Sequence, residues 1–199
     1  MRIHGHLFKY VSVNLSMQIF KGKRGKVYKI LNFAVKFKNN KSYAIGAIKN
    51  EVKWLRRLNK YKIGPKLYYG NEVVMITSFI HGEKIIDFFK KSSLQGKEGV
   101  IREILRQSRL LDILKVDKLE MHHPKKHIFV KRGKKPKVVM IDFERCKYSQ
   151  KPKNLAQVTQ FLSHFVIINK GKLKHLLQEY KKSYKEETYE KIVDLFLIT

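Results

Sequence analysis

The first half of the chain is written in short runs of alternating apolar and polar positions. Met17 to Phe20 and Lys26 to Leu31 flank a loop, Gly22-Lys23-Arg24-Gly25, and Phe33 to Phe37 alternates again. Successive side chains of a strand point to opposite faces, so these runs predict three antiparallel strands. Between Tyr43 and Leu58 the period becomes helical, with Ala44, Ile48, Glu51, Leu55 and Leu58 on one stripe. Gly64-Pro65 should stop that helix before two further strands, Lys66 to Tyr69 and Glu72 to Phe79, which turn at Gly70-Asn71. The expectation is a five-stranded antiparallel sheet carrying one helix.

The second half reads as mainly helical. A short helix is expected over Ile85 to Lys91 and a long one over Lys97 to Leu114, followed by an irregular stretch from Val116 to Lys126. His127 to Val130 and Lys137 to Phe143 read as a hairpin around a basic turn. Asn154, three residues before Gln157, reads as the N-cap of a helix over Leu155 to Ile168, and a last helix is expected from about Lys172 to Leu195. No repeat or Pro/Gly/Ser-rich linker divides the 199 residues, and 43% hydrophobic content is enough for one core. The pattern therefore predicts an α+β fold in one domain over residues 1–199, with a strand-rich lobe over about 1–80 and a small, mainly helical lobe over about 83–199.

Three charged residues interrupt these apolar patterns. Glu51 lies on the core-facing stripe of its helix, where a carboxylate loses hydration and calls for a buried cation, unless it sits at the edge and reaches solvent. Lys36 is the lone cation of the third strand, on the face that carries Ala34. On its own it would be a surface lysine; after a glycine-bearing loop and before an inward Glu, it becomes a candidate for the α and β phosphates of a nucleotide. Ala34 would leave room for a flat base, and Val27 would cap it. Gly22 and Gly25 would let the first hairpin fold close over phosphates, although two glycines three apart also make an ordinary turn. Asp142 follows the apolar run Val138-Val139-Met140-Ile141, a place from which a carboxylate can hold Mg2+ or cap the next turn.

Charge changes the picture of partners. Lys and Arg number 44 against 16 Asp and Glu, leaving +28, and residues 1–50 contain no acid. Such an excess attracts polyanions, though a lysine-rich composition also decorates surfaces without a partner. The densest cluster, residues 125–137, is a candidate docking face for RNA or a ribonucleoprotein. The single Cys146 excludes an intrachain disulfide and a multi-Cys metal site. No apolar run is long enough to span a bilayer and none near the start reads as a signal peptide, so the expectation is a cytoplasmic protein without a membrane partner.

Taken in order, the glycine loop, Ala34-Val35-Lys36, the inward Glu51, Gly64-Pro65-Lys66-Leu67, Phe79-Ile80-His81-Gly82 and Ile141-Asp142-Phe143-Glu144 resemble the protein-kinase superfamily over about residues 17 to 165. More closely they resemble compact archaeal serine/threonine kinases related to the RIO family and to the kinase of the KEOPS tRNA-modification complex. The resemblance implies a two-lobed ATP- and Mg2+-dependent phosphotransferase acting on a protein hydroxyl, or an ATPase. It makes Thr77 the gatekeeper, gives Ser78 and Ile80 the hinge groups that meet adenine, and assigns nucleotide and metal roles to Lys36, Glu51 and Asp142.

Two departures fall in the catalytic loop. Where relatives carry His-Gly-Asp-Leu and then a metal-binding Asn, this chain reads Lys118-Leu119-Glu120-Met121 and then His127. The resemblance thus places Glu120 as catalytic base and His127 beside Asp142 at the metal; Asp117 and His122 are alternative bases. Glu144 stands where Gly is usual, and no long activation segment or Ala-Pro-Glu follows, which implies a minimal kinase without peptide-docking elements. The same loop keeps a pseudokinase scaffold open as an alternative, and the basic charge keeps an RNA- or ribosome-associated binding module open as another. A zinc site at His122, His123 and His127 is disfavoured because Pro124 prevents a regular helix from presenting 123 and 127 together.

Overall fold

The computed structural model describes residues 17–22, 25–38, 46–133 and 136–197. Lys23 and Arg24 of the glycine loop, residues 43–45 of the expected helix, and Lys134 and Lys135 of the basic turn lie outside the described residues. Strands β1 (Met17–Gly22), β2 (Gly25–Ile30) and β3 (Phe33–Phe37) form an antiparallel meander. Helix α1 (Ala47–Leu58) follows, then β4 (Leu67–Gly70) and β5 (Val74–Ser78), giving a five-stranded antiparallel sheet in the order β1-β2-β3-β5-β4.

The register fixes which side chains share a face. Phe20 pairs with Val27, Val27 with Lys36 and Lys36 with Met75, so these four look the same way, and Ala34 and Thr77 lie two positions along the same face. Helix α1 packs on that face. Gly70 pairs with Met75, and a Cβ on Gly70 would stand 2.5 Å from Val52 of α1, so the missing side chain is what lets the helix close on the sheet. Gly64 is required twice over: its φ is +81, and a Cβ there would stand 2.7 Å from Leu55 and 3.0 Å from Phe143.

Beyond the sheet come β6 (Glu83–Lys84), α2 (Ile85–Lys91), α3 (Leu94–Ile113) and β7 (Val116–Asp117). A 3-10 turn at Pro124–Lys126 leads into β8 (Ile128–Lys131) and β9 (Lys137–Met140), and β10 (Lys147–Tyr148) precedes α4 (Asn154–Leu162), α5 (Lys170–Ser183) and α6 (Glu186–Leu197). β8 lies between β6 and β9, while β7 pairs with β10. Ile101, Ile104 and Leu105 of α3 are buried with Val158 and Leu162 of α4 and Ile192 and Phe196 of α6, forming the helical core. No helix among the described residues is long and apolar enough to cross a membrane.

The architecture is the expected mixed α+β one, but four local expectations need correction. The strand expected to reach Phe143 ends at Met140, because Asp142 turns into the left-handed region at φ 65. The expected final helix is two helices, broken at Tyr184 (φ 53), whose hydroxyl donates to Pro152 O at 3.1 Å and whose ring meets Tyr180. The helix expected to run to Ile168 stops at Leu162, where Phe165 turns in against Phe89 and Phe161. Asn154 is not the N-cap: Lys153 takes that place, and the Asn154 side chain turns into the core.

Candidate active site

Lys36 projects from β3 toward α1, and its Nζ lies 2.8 Å from Glu51 Oε2 and 2.8 Å from Glu144 Oε2. All three side chains are largely withdrawn from solvent. Burial alone would lower the Lys36 ammonium, but the charges and hydrogen bonds of Glu51 and Glu144 outweigh it and hold its pKa above the ordinary lysine value. The other oxygen of Glu51 accepts the Phe143 N–H at 3.2 Å. One carboxylate of α1 thus ties the cation of β3 to the segment carrying Asp142. Asn50 reinforces the link by donating to Glu144 O and Cys146 O, as Trp54 does to Cys146 O.

Asp142 and Glu120 both have positive φ, 65 and 75. Each costs on the order of 1–3 kcal/mol and persists only where neighbours over-determine the backbone. For Asp142 those neighbours are Glu51, through Phe143 N–H, and Lys118, whose Nζ donates to Asp142 O at 2.6 Å and stands 4.7 Å from the Phe143 ring centre. Lys118 is 2% exposed, and burial pushes its ammonium below the ordinary lysine range.

Glu120 is half-buried and ion-paired with Arg145. His127 stands between two acids, with Nδ1 3.4 Å from Asp142 Oδ2 and Nε2 3.9 Å from Glu120 Oε2. Burial, and after it the charge of Lys118, lowers the His127 pKa against the pull of Asp142 and Glu120. Asp117 is buried in β7, which pairs with β10, whereas His122 is exposed beside His123.

On the sheet face above these groups, Val27 and Ala34 are half-buried and Thr77 is buried. Phe20 shares this face and meets Phe79 at 5.6 Å between ring centres. Ser78 is fixed at the strand end by an N–H bond to Lys66 O and by its hydroxyl, which accepts Lys66 N–H; Ile80 follows, half-buried, beyond the strand. Gly22 and Gly25 pair directly at the end of the β1–β2 hairpin.

The loop bearing Glu120 is anchored from below. Asp112 Oδ1 accepts from the backbone and side-chain N–H groups of Asn154, and its Oδ2 accepts from Leu155 N–H and Tyr180 O–H. Asn154 in turn donates to Val116 O and accepts Lys118 N–H at 2.8 Å. Sequence reasoning assigned no role to this network, or to Lys118, Arg145 and Phe20, and it gave Glu144 no part in the site. The one signal available for Lys118 was its place in a loop between apolar Val116 and Met121.

The donor set suits a hard divalent cation. Ligand oxygens of Glu51, Asp142 and Glu144 lie within 4.8 Å of one another, and Asp142 Oδ1 is buried without a hydrogen-bond partner among the described residues. His122, His123 and His127 do not join that group.

No protein-family model matches the chain, and no curated protein sequence matches it. Among solved structures, the chain is similar to the Rio2 kinase of Chaetomium thermophilum, crystallised as an ADP/Mg2+-phosphoaspartate complex. The match has a TM-score of 0.59 at 11% identity and covers 91% of this chain and 69% of that one. The chain has a protein-kinase-like fold.

Proposed function

We propose that the chain is a small RIO-like serine/threonine kinase, akin to the compact archaeal and KEOPS-type enzymes, working as one domain over residues 1–199 with lobes at about 1–80 and 83–199. The observation that carries this reading is the double use of Glu51, which holds Lys36 at 2.8 Å and the Phe143 N–H at 3.2 Å, so that the phosphate-binding cation and the metal-binding acid are set together.

ATP enters between the sheet and the helical half. Val27, Ala34 and Thr77 bound the base, Ser78 and Ile80 offer backbone groups to it, Gly22 and Gly25 bring the hairpin over the phosphates, and Lys36 meets the α and β phosphates. Asp142, with His127 beside it, would hold Mg2+, which neutralises charge on the phosphates. Glu120 accepts the proton of the acceptor hydroxyl as its oxygen bonds to the γ phosphorus and the bond to ADP breaks. Arg145, ion-paired with Glu120, keeps that carboxylate aimed.

A pseudokinase scaffold is the second reading, favoured by the same Arg145 ion pair, which occupies the Glu120 carboxylate. The exposed Lys125, Lys126, Arg132 and Lys137 support an RNA or ribonucleoprotein partner at the β8–β9 hairpin. Titration with ATP, with and without Mg2+, followed by a phosphate-release assay tests the reading. Mg2+-dependent binding with turnover supports a kinase or ATPase, binding without turnover supports the scaffold, and no binding refutes the nucleotide site.

A further inference from the structure

Lys36 is held by more carboxylate than a phosphate-binding lysine needs. An ammonium has three N–H donors, and two of them are taken by Glu51 and Glu144 at 2.8 Å each. Glu51 is committed to this place, because its second oxygen holds Phe143 N–H and its backbone belongs to α1. Glu144 comes from the segment that carries Asp142. It sits two residues after Asp142 in a turn, its carbonyl is pinned by Asn50, and a carboxylate oxygen lies within 4.8 Å of ligand oxygens of both Asp142 and Glu51. Oxygens bound to one Mg2+ ion are at most about 4.2 Å apart, so a sub-ångström shift would bring Glu144 and Asp142 onto a shared cation. Metal-free, two of the three Lys36 donors are thus engaged by carboxylates, which leaves the ammonium poorly open to a triphosphate.

We propose that Glu144 is a cation-exchanged latch: metal-free, its carboxylate holds Lys36, and a divalent cation bound by Asp142 and Glu144 draws it away and releases the Lys36 ammonium to the phosphates of ATP. The inference rests on the nucleotide-site reading above. It makes Glu144 a positioning residue and a cation ligand at once, and it makes ATP affinity depend on the cation through the protein as well as through the ATP complex.

The test is calorimetric ATP affinity in Mg2+ and in EDTA for the wild type and for Glu144→Gln and Glu144→Ala. Losing the latch should strengthen metal-free ATP binding by about tenfold or more, the scale of a charged hydrogen bond, and narrow the ratio between the two conditions. Unchanged or weaker metal-free binding in both variants overturns the latch. A measurement on the wild type covers the case in which neither variant folds: acylation of Lys36, read by peptide mass spectrometry, should rise several-fold when Mg2+ is added without nucleotide, and a constant yield overturns the latch. Failure of the wild type to bind ATP in either condition overturns the nucleotide site and the latch together, whereas ATP binding indifferent to Glu144 overturns the latch alone.

Discussion

Replacing Lys36 with Met keeps the length and apolar stem of the side chain and removes only its charge. The variant leaves Glu51 and Glu144 facing each other, at 4% and 7% exposure, without the ammonium that lies 2.8 Å from each. Removing one partner of a buried ion pair costs about 3–5 kcal/mol. For a chain of this size each kcal/mol corresponds to roughly 2–4 °C, so Tm at pH 7.5 should fall by about 6–20 °C. The loss should depend on pH in one direction. The wild-type contribution of Lys36, whose pKa is raised, is fully present below the ordinary lysine value and is lost only as pH rises through the higher folded value. It is therefore constant between pH 5.5 and 7.5. In the variant the two buried carboxylates lose the ammonium they share, a loss that proton uptake offsets, so its stability recovers as pH falls. Differential scanning fluorimetry of both proteins at the two pH values measures this, and Lys36→Met combined with Glu144→Gln should restore much of the loss at pH 7.5. An equal loss at both pH values, or no rescue by the second substitution, would refute the account of the cluster.

Glu120→Gln should retain ATP affinity and lower turnover by roughly a hundredfold or more, the scale of a lost general base; turnover equal to wild type passes the role to Asp117 or another group. Burial raises the Asp112 pKa to about 6 against the bonds from Asn154, Leu155 and Tyr180. Its contribution to stability is therefore fully present below the unfolded value near 4 and is lost as pH rises through 6, a change of about 3 kcal/mol. Melting curves of wild type and Asp112→Asn between pH 4 and 7.5 should lose their parallelism in that window, and parallel curves contradict the assignment. Neutralising Lys125, Lys126, Lys131 and Lys137 should flatten the salt dependence of single-stranded RNA affinity by about three units of logarithmic slope, and an unchanged slope returns these lysines to ordinary solvated charge.

The periodicity of the chain was enough to place the five strands, α1 and α2, because a half-buried strand and an amphipathic helix each write their period into neighbouring residues. It also showed that Lys36 and Glu51 break apolar patterns, which is a local property and raises the question of a partner. It could not show where loops cross. Glu144 reaches Lys36 across 108 residues and Arg145 reaches Glu120 across 25, and neither segment has a period to betray its direction. The left-handed turns at Glu120, Asp142 and Tyr184 occur without glycine, so no residue type announces them. At two of them other groups hold the chain: Lys118 and Glu51 at Asp142, and Pro152 and Tyr180 at Tyr184. Local pattern determined most of the elements and marked three of the charges. Which carboxylates surround the cation was decided only by tertiary packing, because a desolvated charge takes whatever partners the folded chain brings within hydrogen-bond reach.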